Sequence, residues 1–261
     1  MPNLDKIIKI AKEAGEIMLS ASHIETSVDS KEGYQNFVTE YDRRIQEFLF
    51  EELKKAEPEA HFLGEEEGAE QFLPEYEKGI LFVIDPIDGT SNFIEGYNLS
   101  VVSIGILKDG KPFQGVVYNP YARECFSAEA GKGAFCNGKR IQSSDKSLMD
   151  SLAIIGTSPY YKELEDEVFR IGRYYFDRCI DLRRSGSAAW DLCCLASGRA
   201  GLYFELRLGF WDYAAGALIL SEAGGVCTDI EGQEISYRGP SSMLAVSRGI
   251  KDSDYFPNLP A

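Results

Sequence analysis

The sequence has few histidines, the residue that most zinc sites and the serine-hydrolase triad have in common. Its 261 residues include two histidines, His23 and His61, which lie far apart, and six cysteines without a Cys-x-x-Cys pair. Zinc chemistry and Ser/His/Asp catalysis are therefore poorly supported. In a chain of this length, such cysteines are expected to be buried free thiols in a reducing compartment.

Basic residues and long apolar runs are also scarce. Lys and Arg together number 27 against 42 Asp and Glu, which gives a formal net charge of −15. A nucleic-acid surface needs a basic stripe, and this charge balance argues against one. No apolar run reaches the roughly eighteen residues of a membrane span, and residues 1–6 lack the basic start of a signal peptide. We therefore expect a cytoplasmic protein that binds neither nucleic acid nor membrane.

Hydrophobic residues make up 44% of the chain, a share typical of globular proteins. Apolar residues at helical spacing predict helices over residues 4–20, 39–56, 163–175, 187–197 and 212–223. Shorter apolar or alternating runs predict strands over residues 61–64, 79–84, 100–108, 113–118, 124–128, 134–136, 152–156, 179–183, 200–205, 226–229 and 243–247.

The order of these elements predicts two closely packed α/β lobes. Residues 1–145 would form an N-terminal lobe with a helical pair and an antiparallel sheet, whose first hairpin turns at Asp109-Gly110. Residues 146–261 alternate strands with helices and would form a second lobe. The polar segment 143–147 is the predicted junction.

Residues 85–90 read Asp-Pro-Ile-Asp-Gly-Thr and directly follow the apolar run 79–84. A buried strand would therefore end by presenting two carboxylates, with a proline to stiffen the turn between them and a glycine and a hydroxyl to open a helix. Carboxylates in this pattern can hold hard cations, and backbone N–H groups at a helix start can bind phosphate. Acids that are merely solvated or that cap a helix are the alternative interpretation.

Two further acids lie at the ends of predicted elements. Glu65 follows the strand 61–64, and Asp212 lies at the start of a helix, where by itself it is better explained as a cap. If these acids converge with Asp85 and Asp88, four carboxylates would repel one another strongly, and divalent cations would remove that repulsion. Oxygen ligands favour Mg²⁺, Mn²⁺ or Ca²⁺ over zinc.

Three motifs resemble the signatures of the inositol monophosphatase family: Gly-Glu-Glu at 64–66, Asp-Pro-Ile-Asp-Gly-Thr at 85–90 and Trp-Asp-x-Ala-Ala-Gly at 211–216. Segments 37–42, 186–189 and 221–225 are similar to other blocks of that family, so the resemblance covers nearly the whole chain. It implies an α+β fold, a layered α-β-α-β-α sandwich of the inositol monophosphatase and fructose-1,6-bisphosphatase type. The N-terminal sheet would be antiparallel, and the smaller C-terminal sheet mixed.

The resemblance also implies a magnesium-dependent phosphatase. Glu65, Asp85 and the carbonyl oxygen of Ile87 would hold a first Mg²⁺, and Asp85, Asp88 and Asp212 a second. Glu65 would help to hold a third, looser ion through water, and Mn²⁺ is an expected substitute. One ion would lower the pKa of a bound water to make the nucleophile, and the other would stabilise the leaving alkoxide.

Around these acids, the resemblance assigns Thr90 to orient the attacking water and Asp42 to orient Thr90. The N–H groups of Gly89 and Thr90 would bind the phosphate. Thr90 could also simply cap a helix, and the two roles are compatible.

The resemblance places the substrate between the acids and a second set of residues. Glu205 would accept hydrogen bonds from inositol hydroxyls, although a glutamate at a strand end is more often solvated. The remaining implied substrate contacts are Asp88, Gly89, Thr90, Gly186, Ser187, Ala188 and Asp212.

Three basic residues are weaker candidates. Lys31 is similar to a family lysine near the third metal, and a surface lysine is an equal alternative. Arg184, beside the 186–188 block, and Arg207, where several relatives carry a small residue, could receive a second phosphate or acidic group. A subunit interface or a surface pair is the more ordinary explanation for these arginines.

The implied reaction is hydrolysis of a phosphate monoester, inositol monophosphate first of all, with inhibition by Li⁺ and assembly as a homodimer. A fructose-1,6-bisphosphatase or a broad sugar phosphatase on the same fold is the enzymatic alternative. A regulatory binding protein that keeps a phosphatase site is the alternative from another class, because some family members act on the transcription machinery.

Overall fold

The structure, a computed structural model, describes residues 1–21, 28–30, 37–67 and 73–251. The helices are α1 Leu4–Leu19, α2 Glu40–Ala56, α3 Thr90–Ile94, α4 Glu165–Phe176, α5 Ala188–Ala196 and α6 Phe210–Glu222. The strands are β1 Val28–Ser30, β2 Phe37–Thr39, β3 His61–Gly64, β4 Ile80–Asp88, β5 Val101–Lys108, β6 Lys111–Asn119, β7 Glu124–Glu129, β8 Gly133–Cys136, β9 Lys139–Ile141, β10 Leu152–Ile155, β11 Asp181–Arg183, β12 Leu202–Leu208, β13 Val226–Thr228 and β14 Ser241–Val246.

The larger sheet has seven strands, β3 to β9, arranged in the order of the sequence. β3 and β4 are parallel, whereas the later neighbours are antiparallel. Residues 80–84 of β4 form a continuous apolar run, as expected for a strand that is covered on both faces. Leu81 and Val83 belong to a core shared with α5 and α6, whereas Phe82 and Ile84 belong to a core shared with α1 and α2.

The smaller sheet is mixed, with the strand order β11-β10-β12-β14-β13. Alternate residues of β12 again face two cores, since Tyr203 packs with α5 and α6 while Leu202 and Phe204 pack with α4. Helices α5 and α6 therefore lie between the two sheets. The expected α-β-α-β-α layering and the smaller mixed sheet are confirmed, whereas the larger sheet, expected to be antiparallel, also contains the parallel pair of β3 and β4.

The bounds of the predicted elements lie within four residues of the observed ones, and β12 continues to Leu208, three residues past its predicted end. α6 begins at Phe210, two residues before the predicted start. β4 does not end at Ile84 but continues through Asp88. Sequence reasoning missed β9 and the pairing of β1 with β2, because strands of three residues are too short to show a hydrophobic period.

The junction between the two sheets falls between β9 and β10. The division into lobes at residue 145 stays a prediction, since α6 comes from the second half of the chain and packs against both sheets. All six cysteines are free thiols. Within the described ranges, no helix has both the length and the apolar character needed to cross a membrane.

Two glycines let α6 lie unusually close to the larger sheet. Gly105 and Gly115 are paired neighbours on β5 and β6. A Cβ atom on Gly105 would lie 2.7 Å from Ala214 Cβ, and one on Gly115 would lie 2.8 Å from the carbonyl oxygen of Ala215. These distances are shorter than van der Waals contact, so any side chain would push α6 outward. The small residues at the start of α6 thus fix its depth and the position of Asp212.

Candidate active site

Asp85 and Asp88 meet because β4 carries a bulge. In a regular strand, residues three apart point to opposite faces of the sheet. Here the pairing with β5 shifts register between Asp85, which pairs with Ser103, and Asp88, which pairs with Val101. The N–H of Ile87 donates to Asp85 Oδ1 at 3.0 Å inside the bulge. Bulges re-aim side chains in this way and often lie next to active sites.

Asp212 reaches the same place from α6. It lies in the first turn, where its Oδ2 accepts a hydrogen bond of 2.7 Å from the N–H of Gly209. One carboxylate oxygen of each of Asp85, Asp88 and Asp212 lies within 4.8 Å of the other two. The structure therefore brings together three of the four acids that the sequence predicted to converge, and Asp212 caps the helix as well.

These carboxylates are costly to keep charged. Asp85 and Asp88 are 2% and 6% exposed. Burial raises the pKa of Asp85 well above its usual range, and the charges of Glu65, Asp88 and Asp212 add to the effect. Burial and the charges of Asp88 and Glu65 likewise raise the pKa of Asp212.

Asp88 differs from Asp85 and Asp212 because more groups donate hydrogen bonds to its carboxylate. Burial raises its pKa to about 6, while hydrogen bonds from Ser187, Ala189 and Ala188 oppose that rise. The hydroxyl of Ser187 donates at 2.8 Å, the N–H of Ala189 at 2.7 Å and the N–H of Ala188 at 3.3 Å. A cluster of mutually repelling carboxylate oxygens fits a hard divalent cation, which would offset their charge.

Glu65 lies beside this cluster. It begins the 3₁₀ turn Glu65–Glu67 directly after β3, and Gly64 at the end of β3 pairs with Ile84, one residue before Asp85. Its carboxylate lines the same cavity and is the first charge, after burial, that raises the pKa of Asp85. Glu65 is not among the three residues whose oxygens lie within 4.8 Å of one another.

Thr90 is the first residue of α3, and Gly89, at φ 95°, is the residue that precedes the helix. The interpretation of Thr90 as a helix cap is therefore wrong. Its hydroxyl lies 3.3 Å from Asp42 Oδ1 and 3.1 Å from the carbonyl oxygen of Ile87. Both oxygens accept, so the single hydroxyl proton goes to one of them at a time. Asp42, on α2, is fully buried.

Glu205 is held from two sides at the opposite wall of the cavity. The hydroxyl of Tyr203 donates to its Oε2 at 2.7 Å, and the N–H of Ser158 donates to its Oε1 at 2.8 Å. The carboxylate packs directly on Gly156, where a Cβ atom would lie 2.1 Å from Oε2. Glu205 is 9% exposed, so the alternative of a solvated glutamate is wrong.

Sequence reasoning missed Ser158, Tyr203 and Ala189. Tyr203 lies two residues before Glu205 and therefore on the same face of β12, a signal that the strand period carries. Ser158 has a left-handed backbone conformation, with φ 41°, and a serine in a sequence does not indicate such a conformation.

Both arginines singled out in the sequence line the cavity, which encloses about 290 Å³ and also includes Gly89, Gly186, Ser187 and Ala188. The Arg184 guanidinium donates to Thr157 Oγ1 at 3.1 Å. The Arg207 guanidinium lies 5.4 Å from the centre of the Tyr161 ring. Lys31 lies outside the described residues.

The layered fold and the acids at one end of its cavity are those expected of a phosphatase of the family that the motifs indicated. The model of the "Inositol monophosphatase family" matches residues 3–255. The chain therefore belongs to this family, and its membership supports a phosphatase activity.

Similar proteins carry two kinds of name. Inositol monophosphatase 2 of Solanum lycopersicum is 40% identical over 255 residues, which cover 96% of this chain and 95% of that protein. Nus factor SuhB of Xylella fastidiosa is 33% identical over 255 residues, 96% of this chain and 91% of that protein. The crystal structure of extragenic suppressor protein suhB from Bartonella henselae superposes with a TM-score of 0.86 at 33% identity, covering 94% of this chain and 93% of that chain.

Proposed function

We propose that the protein is a Mg²⁺-dependent phosphatase that hydrolyses inositol monophosphates or similar polyol phosphates. The observation that carries the proposal is the cluster of Asp85, Asp88 and Asp212, whose oxygens lie within 4.8 Å of one another in the wall of a cavity. The similarity to an inositol monophosphatase of Solanum lycopersicum supports the choice of substrate.

Two or three divalent ions, Mg²⁺ or in its place Mn²⁺, fit the oxygen-only donors here. Asp85, Asp88 and Asp212 would hold them together with Glu65 and the carbonyl oxygen of Ile87. When bound, such ions lower the pKa of water and offset the negative charge of the reacting phosphate.

The chain itself orients the reactants. When the Thr90 hydroxyl donates its hydrogen bond to Asp42, the lone pairs of Thr90 Oγ1 remain available to accept a hydrogen bond from the attacking water. Gly89 and Thr90 line the cavity, and their N–H groups would donate to the phosphate. Glu205, which accepts a hydrogen bond from Tyr203, would accept another from a substrate hydroxyl.

The direct test is release of phosphate from inositol 1-phosphate by the pure protein, with Mg²⁺ and with a chelator. We expect hydrolysis with Mg²⁺ only, and loss of it in Asp212→Asn. No hydrolysis of any polyol or sugar phosphate would reject the proposal. Li⁺ is expected to inhibit by entering the second metal position, and insensitivity at tens of millimolar would count against that position.

A fructose-1,6-bisphosphatase or broad sugar phosphatase is the second candidate. The observation that favours it is the presence of Arg184 and Arg207 in the cavity wall, since a guanidinium group binds phosphate in a two-pronged geometry. Comparing kcat/KM for sugars that carry one and two phosphates separates the candidates. A clear preference for two phosphates would replace the inositol proposal.

A regulatory binding role is the third candidate, supported by the similarity to a protein named Nus factor SuhB. The separating experiment is complementation of a strain that lacks the protein with Asp88→Asn. Full rescue would favour binding over catalysis, and failure would favour catalysis.

The expected cytoplasmic homodimer is also proposed. Exposed apolar side chains near α4 support it, since such patches often mark contacts with other protein surfaces. They are Phe169, Phe176 and Ile180, which are 66%, 55% and 63% exposed. Sedimentation at micromolar concentration checks this assembly, and a monomer would contradict it.

A further inference from the structure

We propose that Gln46 is a positioning residue that holds Glu65 in place and thereby sets the affinity of the acidic cluster for divalent cations. The inference rests on the proposed function, because only there does Glu65 hold a cation. Gln46 lies on α2 and is 7% exposed. It was not among the residues that the sequence motifs singled out.

The side chain of Gln46 contacts the chain on both sides of Glu65. Its Oε1 accepts a hydrogen bond of 3.0 Å from the N–H of Glu66. Its amide also lies against Gly64, where a Cβ atom would fall 2.2 Å from Oε1 and 2.5 Å from Cδ. Gly64 therefore leaves room for the amide, which explains the glycine that opens the motif at 64–66. Because Gln46 holds the residues on both sides of Glu65, the backbone position from which the Glu65 carboxylate extends is fixed.

The same helix also supports the other half of the site. Asp42 lies four residues before Gln46 and thus on the same face of α2. Asp42 accepts from the Thr90 hydroxyl, while Gln46 accepts from the turn that carries Glu65. One helix face thus contacts both the turn after β3 and the start of α3, and it fixes Glu65 relative to Thr90.

The neutrality of Gln46 suits this position. A glutamate there could accept the same N–H bond, but it would add a buried negative charge next to Glu65 and the three aspartates. An amide satisfies the N–H of Glu66 without adding to their repulsion. Groups that orient metal ligands in this way typically change metal affinity by about 10–100-fold when they are lost.

The test measures Mg²⁺ binding by titration calorimetry, without substrate. Gln46→Met keeps the length of the side chain and removes the acceptor, and we expect about tenfold weaker binding. Gln46→Asn, which draws the acceptor back by one methylene, is the second variant and should change affinity in the same direction. The matched control is Gln114→Met, since Gln114 is also buried, with 2% of its surface exposed. Gln114 lies on the larger sheet and donates hydrogen bonds to the carbonyl oxygen of Pro2 and to the carboxylate of Glu129. The control variant should lower the thermal midpoint but keep the unmodified affinity.

A double-mutant cycle with Glu65→Gln shows whether Gln46 acts through Glu65. In that background, Gln46→Met should change Mg²⁺ affinity by less than about twofold. An unchanged affinity in Gln46→Met, or an equal loss in the Glu65→Gln background, would overturn the inference while leaving the proposed function standing. If the unmodified protein binds no Mg²⁺, the proposed function and the inference fall together.

Discussion

The two walls of the cavity hold their carboxylates in different ways. The acidic wall consists of Glu65, Asp85, Asp88 and Asp212, and the recognition wall consists of Ser158, Arg184, Glu205 and Arg207. On the acidic wall, the charges that act most on Asp85 are other carboxylates. On the recognition wall, burial raises the pKa of Glu205, but hydrogen bonds from Tyr203 and Ser158 and the charge of Arg184 oppose the rise.

This difference separates two tasks. The recognition wall supplies its own donors and a cation, so its geometry is complete within the chain. On the acidic wall, the donors to the three aspartates do not offset burial and mutual repulsion, since the pKa values stay raised. An added cation would stabilise the charged form, because buried like charges cost free energy unless they are neutralised. Changes on the acidic wall should therefore affect every substrate, whereas changes on the recognition wall should affect the choice among substrates.

The largest effect is expected for Asp88→Asn on the acidic wall. The amide keeps the shape of the side chain but removes one charge from the cluster. Loss of a residue that only orients a metal ligand lowers metal affinity or activity about 10–100-fold. Loss of charge at a ligand itself should therefore lower kcat on any phosphate ester by more than about a hundredfold. Asp145→Asn, at a carboxylate whose side chain is 82% exposed, is the control and should be fully active. Activity within tenfold of the unmodified enzyme would remove Asp88 from the proposed ligands.

The acidic wall also predicts a pH dependence of stability. Folding raises the pKa of Asp88 from 3.8 to about 6, and it also raises the pKa values of Asp85 and Asp212 well above their usual range. A carboxyl with a raised pKa binds its proton more tightly in the folded state, so its contribution to stability is lost as the pH rises from about 4 through 6 and beyond. Added Mg²⁺ should therefore raise the thermal midpoint more at pH 7 than at pH 5. An equal gain at both values would argue against a cation bound by these residues.

An intermediate effect is expected for Arg207→Ala on the recognition wall. If Arg207 binds a second phosphate, KM for a two-phosphate sugar should rise about tenfold, because a hydrogen bond to a charged group contributes about 1.5–3 kcal/mol. KM for a one-phosphate substrate should stay within twofold. Arg183→Ala removes an arginine that pairs with Asp181 instead, and it should change neither value. Equal changes on both substrates would leave Arg207 without a role in discrimination.

The sequence predicted most helices and strands and the acids at their ends, because both depend on local patterns, whereas the layering was implied by the family resemblance. The apolar run of β4 and the helical spacing of α6 are visible in one dimension, and the acids follow directly from those elements. The bulge in β4 was not predictable from the period of a strand, which places Asp85 and Asp88 on opposite faces. The proline at 86 lacks an N–H for the ladder, and the structure accommodates it in a bulge rather than in the expected turn.

Contacts between distant segments were the other part that the sequence could not supply. Gln46 and Glu66 are twenty residues apart, and Ser158 and Glu205 are 47 apart. Neither pair shares a motif or a period. Such contacts depend on how the layers pack, and local propensity does not contain that information.

The smallest effect is expected for Tyr203→Phe. This change tests the difference between the two walls most directly. The change removes one of the bonds that orient Glu205 and leaves the acidic wall intact. KM for inositol 1-phosphate should rise several-fold, since a net hydrogen bond contributes about 1 kcal/mol. Hydrolysis of p-nitrophenyl phosphate, which offers Glu205 no hydroxyl, should stay the same. Tyr175→Phe, at an equally buried tyrosine on α4, should spare both substrates. An equal loss on both substrates would mean that Tyr203 supports the fold rather than the choice of substrate.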